Sequence, residues 1–260
     1  MRKTRLHWWP CGAAACFIGL AVCCPAGVRA DVADYTVQSD TYIDSTHTTT
    51  NYGGSASLKV FVDSPSPTPT HALIGVSDAI NATSGMTLGQ ELGSIPAGDQ
   101  VDVKLWVYNY GGTSLTQNIE VHPLTAGFTA GNGTAASGAT WTTYDGTNPW
   151  ATPGGDYAAD CVSIPPPSVQ GYQWYSVDIT SLLQGSDRSD LLSDGLLLKV
   201  YNDAVSPGNT TGQNFESSRN TNQPYFQVTI TPEPATVALL AAGAGVAAIG
   251  LARRRRASRR

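Results

Sequence analysis

The stretch "VDVKLWVYNY", residues 101–110, alternates without a break: Val101, Val103, Leu105 and Val107 fall on one side, Asp102, Lys104, Trp106 and Tyr108 on the other. A period of two is the pleat of a β-strand with one face against a core. Outward from it, the same alternation returns in "WYSVDI" (174–179), "LLLKVY" (196–201) and "YFQVTI" (225–230), and more briefly in "SLKVFVD" (57–63) and "IEVH" (119–122). Between them lie turn-rich stretches such as "AGNGTAASG" (130–138) and "NDAVSPGNTTG" (202–212). A single short helix is expected at Ser181 to Gln184, with Thr180 as its cap and Gly185 at its end. Several alternating strands without helices of comparable length predict an all-β fold, an antiparallel two-sheet β-sandwich. No fixed-period repeat points to a propeller or solenoid.

The two ends have a different composition. Residues 1–30 read "MRKTRLHWWPCGAAACFIGLAVCCPAGVRA": a basic start at Arg2, Lys3 and Arg5, a short apolar run, then small residues before a cut between Ala30 and Asp31. This is the pattern of a signal peptide with a short signal helix; a buried first helix and lipidation at Cys23 are the alternatives. At the other end, residues 235–252 carry no charge, and as a transmembrane-type helix they would cover about 27 Å. Arg253, Arg254, Arg255 and Arg256 follow and would hold the C-terminus inside by the positive-inside rule. Pro232-Glu233-Pro234, the apolar run and the arginines, in that order, resemble the PEP-CTERM sorting signal. That resemblance implies a Gram-negative bacterium, an exosortase as processing partner, a transient inner-membrane span, and a body released to the cell surface or matrix. A permanent single-span anchor is the other reading. The prolines keep the Glu233 segment extended, a form suited to a protease-like grip.

Once residues 1–30 and 232–260 are set aside, one domain over 31–231 remains. It carries five basic residues against 19 acidic ones, a net of −14, which the whole-chain value of −5 hides. Such a body repels nucleic acid, whose binding depends on Lys and Arg at phosphates, and suits divalent cations. Four of the five cysteines lie in the leader, so Cys161 alone remains and the body has no internal disulfide.

"SDTYIDSTHTTTNYGGSASLKV" (39–60), "WYSVDITSLLQ" (174–184) and "FESSRNTNQPYFQVTI" (215–230) together resemble the DNRLRE domain, and "ATWTTYDGTNPWATPGGDY" (139–157) resembles an insertion carried by many members. The resemblance implies a jelly-roll-like sandwich and a carbohydrate-binding or adhesive role. The chain departs from the family at "HALIGV", where His71 and Gly75 replace basic residues, and at Ser218-Arg219-Asn220, which lacks the usual acid. In "TNYGG" (50–54) and "PGGD" (153–156) the paired glycines are expected at positive φ.

Candidate chemistry lies in two groups. Trp141, Tyr144, Trp150 and Trp174 are flat rings suited to stacking on sugars, or to anchoring a long loop. Asp40, Asp44, Asp156 and Asp160 offer oxygens in loops to a structural Ca²⁺. No nucleophile elbow, zinc-protease helix or P-loop occurs, and no catalytic residue is expected. A non-catalytic module that binds polysaccharide or organises matrix is the reading; a purely structural adhesion protein is its rival, and a polysaccharide-degrading enzyme a further alternative.

Overall fold

The computed structural model describes residues 30–231 except 65, 97, 114–116, 135, 167–170, 185–187 and 204–209. The expected signal helix, the transmembrane-type helix, Pro232-Glu233-Pro234 and the arginine tail lie outside the described residues. Arg29–Pro234 cluster as one compact unit, and among the described residues no helix is long and apolar enough to cross a membrane.

The strands in chain order are β1 (Asp31–Thr36), β2 (Asp40–Asp44), β3 (Ser57–Asp63) and β4 (Thr68–Ile74), then helix α1 (Leu88–Ser94). The long β5 (Gln100–Gly112), β6 (Ile119–Pro123), β7 (Val162–Ile164) and β8 (Gln173–Asp178) follow. Helices α2 (Thr180–Gln184) and α3 (Arg188–Asp194) precede β9 (Leu196–Val200), β10 (Thr211–Glu216) and β11 (Tyr225–Thr231). Each alternating stretch read from the sequence is a strand. Thr180 opens α2, but its hydroxyl accepts from Val103 N at 2.9 Å and so ties the helix to β5.

All strand pairs are antiparallel, and hydrogen bonds join them into one sheet with the path β1-β11-β5-β10-β3-β4-β9-β6-β7. Separate ladders for two sheets, as the sandwich expectation implied, are therefore not drawn; the sheet curls around its core. The reason lies in two strands that hand over partners. On β5, Lys104–Trp106 pair with both β11 and β8, while Asn109 pairs with β10 and β8. β11 and β10 thus follow each other along one edge, and a bulge at Asn214/Phe215 absorbs the change. On β4, β3 and β9 succeed each other in the same way. The far strands β7 and β8 come near one another without a shared ladder.

Inside the curl lies the main core: Leu58 and Val60 from β3, Ile74 from β4, Val103, Leu105 and Val107 from β5, Leu198 from β9 and Phe226 from β11, all fully buried. The inward set read from residues 101–107 is the observed one. A second, smaller core lies on the other face of β4 and β9, where Ile43, Leu73 and Leu197 meet Leu124, Ala139 and Trp150. The segment from Leu124 to Cys161 is thus a cover held over that face.

Asn51 pins this cover. Its buried amide donates to the carbonyls of Ala130 and Ala139, each at 2.9 Å, and its Oδ1 accepts from Gly133 N at 2.9 Å and Gly53 N at 3.2 Å. Gly154 and Gly155 have φ of 99° and 106°, as expected of "PGGD". Gly53 and Gly54 are not at positive φ, which corrects the reading of "TNYGG". Their reason is proximity: a Cβ on Gly53 would collide with the Ala130 carbonyl, and one on Gly54 would lie 2.7 Å from the Asn132 oxygen.

Candidate functional site

The outward face of β11, β5 and β8 carries a row of rings. The pleat that sends Val103, Leu105 and Val107 inward sends Trp106 and Tyr108 outward. Register then sets Tyr225 beside Trp106 and Trp174 beside Tyr108. Trp106 and Tyr225 stack with centroids 5.9 Å apart and planes within 4° of parallel. Trp174 stands edge-on to Tyr108 at 5.2 Å and, reaching across β5, to Tyr225 at 5.3 Å. Trp174 is 37% exposed, and Tyr172, at the entry to β8, is 78% exposed. Within this row the indole N–H of Trp106 is buried and, among the described residues, has no hydrogen-bond partner, which is costly for a donor of that kind.

The polar rim lies on the same face. Lys104 pairs in register with Asp178 and Gln227, and Gln227 donates to Asp34 at 3.2 Å. Burial, helped by the charge of Asp34, pushes the Tyr225 hydroxyl above its ordinary pKa. The result is a partly exposed aromatic strip, stacked at one end and edge-on at the other, with hydrogen-bonding groups at its margin.

The expected aromatic residues divide. Trp174 is in this row. Trp150 is 4% exposed, donates its indole N–H to Thr140 O at 2.9 Å, and offers no face to a ligand. Tyr144 stands edge-on to it at 5.7 Å, and Trp141 leans on His71 at 4.9 Å. These three hold the cover onto the second core. Trp106, Tyr108 and Tyr225 were not among the expected site residues. Their outward side is legible for Trp106 and Tyr108, but which rings become neighbours depends on the register of strands far apart in sequence.

The four aspartates do not share one site. Asp40 is buried and accepts from Ser218 N at 2.6 Å and Ser218 Oγ at 2.9 Å, with Arg219 at 3.5 Å. Burial raises its pKa, and those partners only partly offset the rise. Asp44 accepts from Thr46 N at 2.8 Å and faces His47 Nδ1 at 2.9 Å; burial opposes its charge, but the bonds from Thr46 and His47 outweigh it and lower its pKa. Asp156 accepts from Ala151 N at 2.7 Å and Thr152 N at 2.8 Å and so closes a turn of the cover. Asp160 is exposed. Ala30 and Asp31, the expected cleavage pair, are exposed where β1 begins.

Behind the cover runs a polar chain. His71 donates Nδ1–H to Gly154 O at 2.7 Å and faces Asp203 with Nε2 at 3.0 Å. Asp203 also holds Lys199 at 3.0 Å, and Lys199 donates to the Tyr157 hydroxyl at 3.2 Å. Asn202 and Asp203 adopt φ of 54° and 48°, a left-handed strain that the ion pair helps to fix. A separate cleft of 610 Å³ lies between α1 and the start of β5, lined by Leu92, Asp99, Asp102, Thr180 and Arg188; it holds none of the strip.

With the body so placed, the segment that follows β11 decides its destination. Residues 231–256 match the PEP-CTERM protein-sorting motif. The PEP-CTERM match begins at Thr231, the last residue of β11, and takes in Pro232, Glu233, Pro234 and Arg253 to Arg256. It marks the chain as an exported protein, sorted by an exosortase to the cell surface of a Gram-negative bacterium. No curated protein matches the chain.

Proposed function

We propose that the exported body is a non-catalytic contact module that binds polysaccharide in the extracellular matrix through the strip of Trp106, Tyr108, Trp174 and Tyr225. The observation that carries this reading is the row itself: four rings on one outward sheet face, one of them 37% exposed, with an indole N–H that has no partner among the described residues. Stacking on C–H faces asks for no charge, and a body at −14 repels polyanions, so neutral glycans are the favoured class. The resemblance of residues 39–60 and 215–230 to the DNRLRE domain supports the same role. In that reading the curled sheet is a jelly-roll-like sandwich whose two faces are joined at the bends of β4 and β5. A purely structural adhesion protein is the rival, and the packing of Trp141, Tyr144 and Trp150 into the cover favours it, because those rings are spent on stability.

Affinity electrophoresis against neutral and acidic polysaccharides tests the proposal. The exported protein should be retarded by at least one neutral polymer, and Trp174→Ala should weaken that by about 2 kcal/mol, roughly thirtyfold. Trp174 is on the surface, so the variant should keep its fold. Retardation that Trp174→Ala leaves unchanged rules out the strip as the contact, and none on any polymer favours the structural reading.

A further inference from the structure

At the rim of the cover, Glu120 and His122 project from the outer face of β6, and Cys161 ends the cover beside them. One ligand atom from each lies within 4.8 Å of the other two. The histidine side chain is 7% exposed and that of Glu120 12%, so neither is a freely solvated surface group.

The hydrogen bonding of His122 sets its chemistry. Nδ1 lies 2.9 Å from the carbonyl of Ala158; a carbonyl only accepts, so Nδ1 carries the proton. In the neutral ring the lone pair is then on Nε2, which points at Glu120 Oε2 from 3.4 Å. The Cys161 thiol is the third neighbour, so three possible ligand atoms meet at one point. The Nε2–Glu120 contact is the looser of the molecule's two buried histidine–carboxylate contacts, since His71 Nε2 lies 3.0 Å from Asp203. An N–H given to a backbone carbonyl is also what orients a metal-bound histidine and fixes its free nitrogen.

We infer that Glu120, His122 and Cys161 form a binding site for a single zinc ion, which clips the end of the cover to β6. Imidazole, thiolate and carboxylate are the three donor types zinc takes. On a tetrahedral ion they would lie about 3.5 Å apart, which asks for a small inward shift by Cys161 at the exposed end of the cover. A water completes the tetrahedron. The site is distinct from the aromatic strip, and of the four aspartates expected to hold calcium only Asp160 neighbours it; it gives the lone body cysteine a partner set. Tyr157 packs on the His122 ring at 4.7 Å and shields that side.

The test uses the exported protein, stripped with a chelator and titrated with Zn²⁺, then with Co²⁺ as a spectroscopic substitute. One equivalent should bind and raise the melting temperature, and Co²⁺ should give an intense near-ultraviolet thiolate-to-metal band. His122→Ala and Cys161→Ser should each weaken Zn²⁺ binding tenfold or more, and Cys161→Ser should abolish the band; His47→Ala should change neither. Cys161 is exposed, so its serine variant folds even if the histidine variant does not. Absence of saturable binding, or a band and affinity retained in Cys161→Ser, overturns the site.

Discussion

At the scale of single residues, the molecule keeps its charges in local contacts. Asp203 is the clearest case. Burial opposes its charge, but the hydrogen bonds and charges of His71 and Lys199 outweigh it and hold its carboxyl below the usual value. Burial pulls Lys199 down, and Asp203 and Tyr157 more than offset it, so its ammonium is held above. The stabilisation from Asp203 is therefore whole above its unfolded pKa, about 3.9, and is lost as pH falls through the lower folded value; that from Lys199 is whole below about 10.4 and lost as pH rises through the higher folded value. Denaturant midpoints across pH should show Asp203→Asn less stable at neutral pH, with the gap to the parent narrowing below about pH 4. A gap that stays constant into acid would contradict this account. Little of this was legible in the sequence: Asp203 sits in "NDAVSPGNTTG", a stretch that reads as a turn, and its partner His71 lies 132 positions away. Trp174 and Trp106 were half-legible, because alternation gives a side of the strand but not the neighbour across it.

At the scale of elements, alternation in residues 101–110 and 225–230 sufficed to place β5 and β11, because the period of the pleat is a local property. Among the described residues two helices lie beyond the single one expected: α3 buries only Leu191 and α1 only Leu88 and Leu92, too few for a visible 3.6-residue rhythm. The start of α1 was legible in principle, since Thr87 and Gln90 form a reciprocal capping box, Gln90 N to Thr87 Oγ1 at 3.3 Å and Thr87 N to Gln90 Oε1 at 2.9 Å. Only residues 139–157 read as an insertion, and by resemblance alone; neither the wider cover over 124–161 nor its pin is legible in the sequence. Asn51 lies some eighty residues before the carbonyls it satisfies. Asn51→Ala strands several buried backbone groups at once and should cost roughly 2–4 kcal/mol, read as a lower denaturant midpoint. Near-parental stability would show that water replaces the amide and that the cover does not depend on it.

At the scale of the whole molecule, the chain divides its labour by composition. The PEP-CTERM segment, with its apolar run and arginines, carries the address, while the acidic β body faces outward and presents rings on one side of its curled sheet. The curl itself was beyond the sequence, since it arises from β5 and β4 each exchanging partners along an edge, and pairing is non-local. The central claim is that the strip on β11, β5 and β8, and not the cover, meets polysaccharide. Indole N–H resonances of the ¹⁵N-labelled exported protein, followed as a retained neutral polysaccharide is added, test it most directly. The signals of Trp106 and Trp174 should move while those of Trp141 and Trp150 stay fixed; movement of Trp141 or Trp150 with a silent Trp106 and Trp174 would contradict the account.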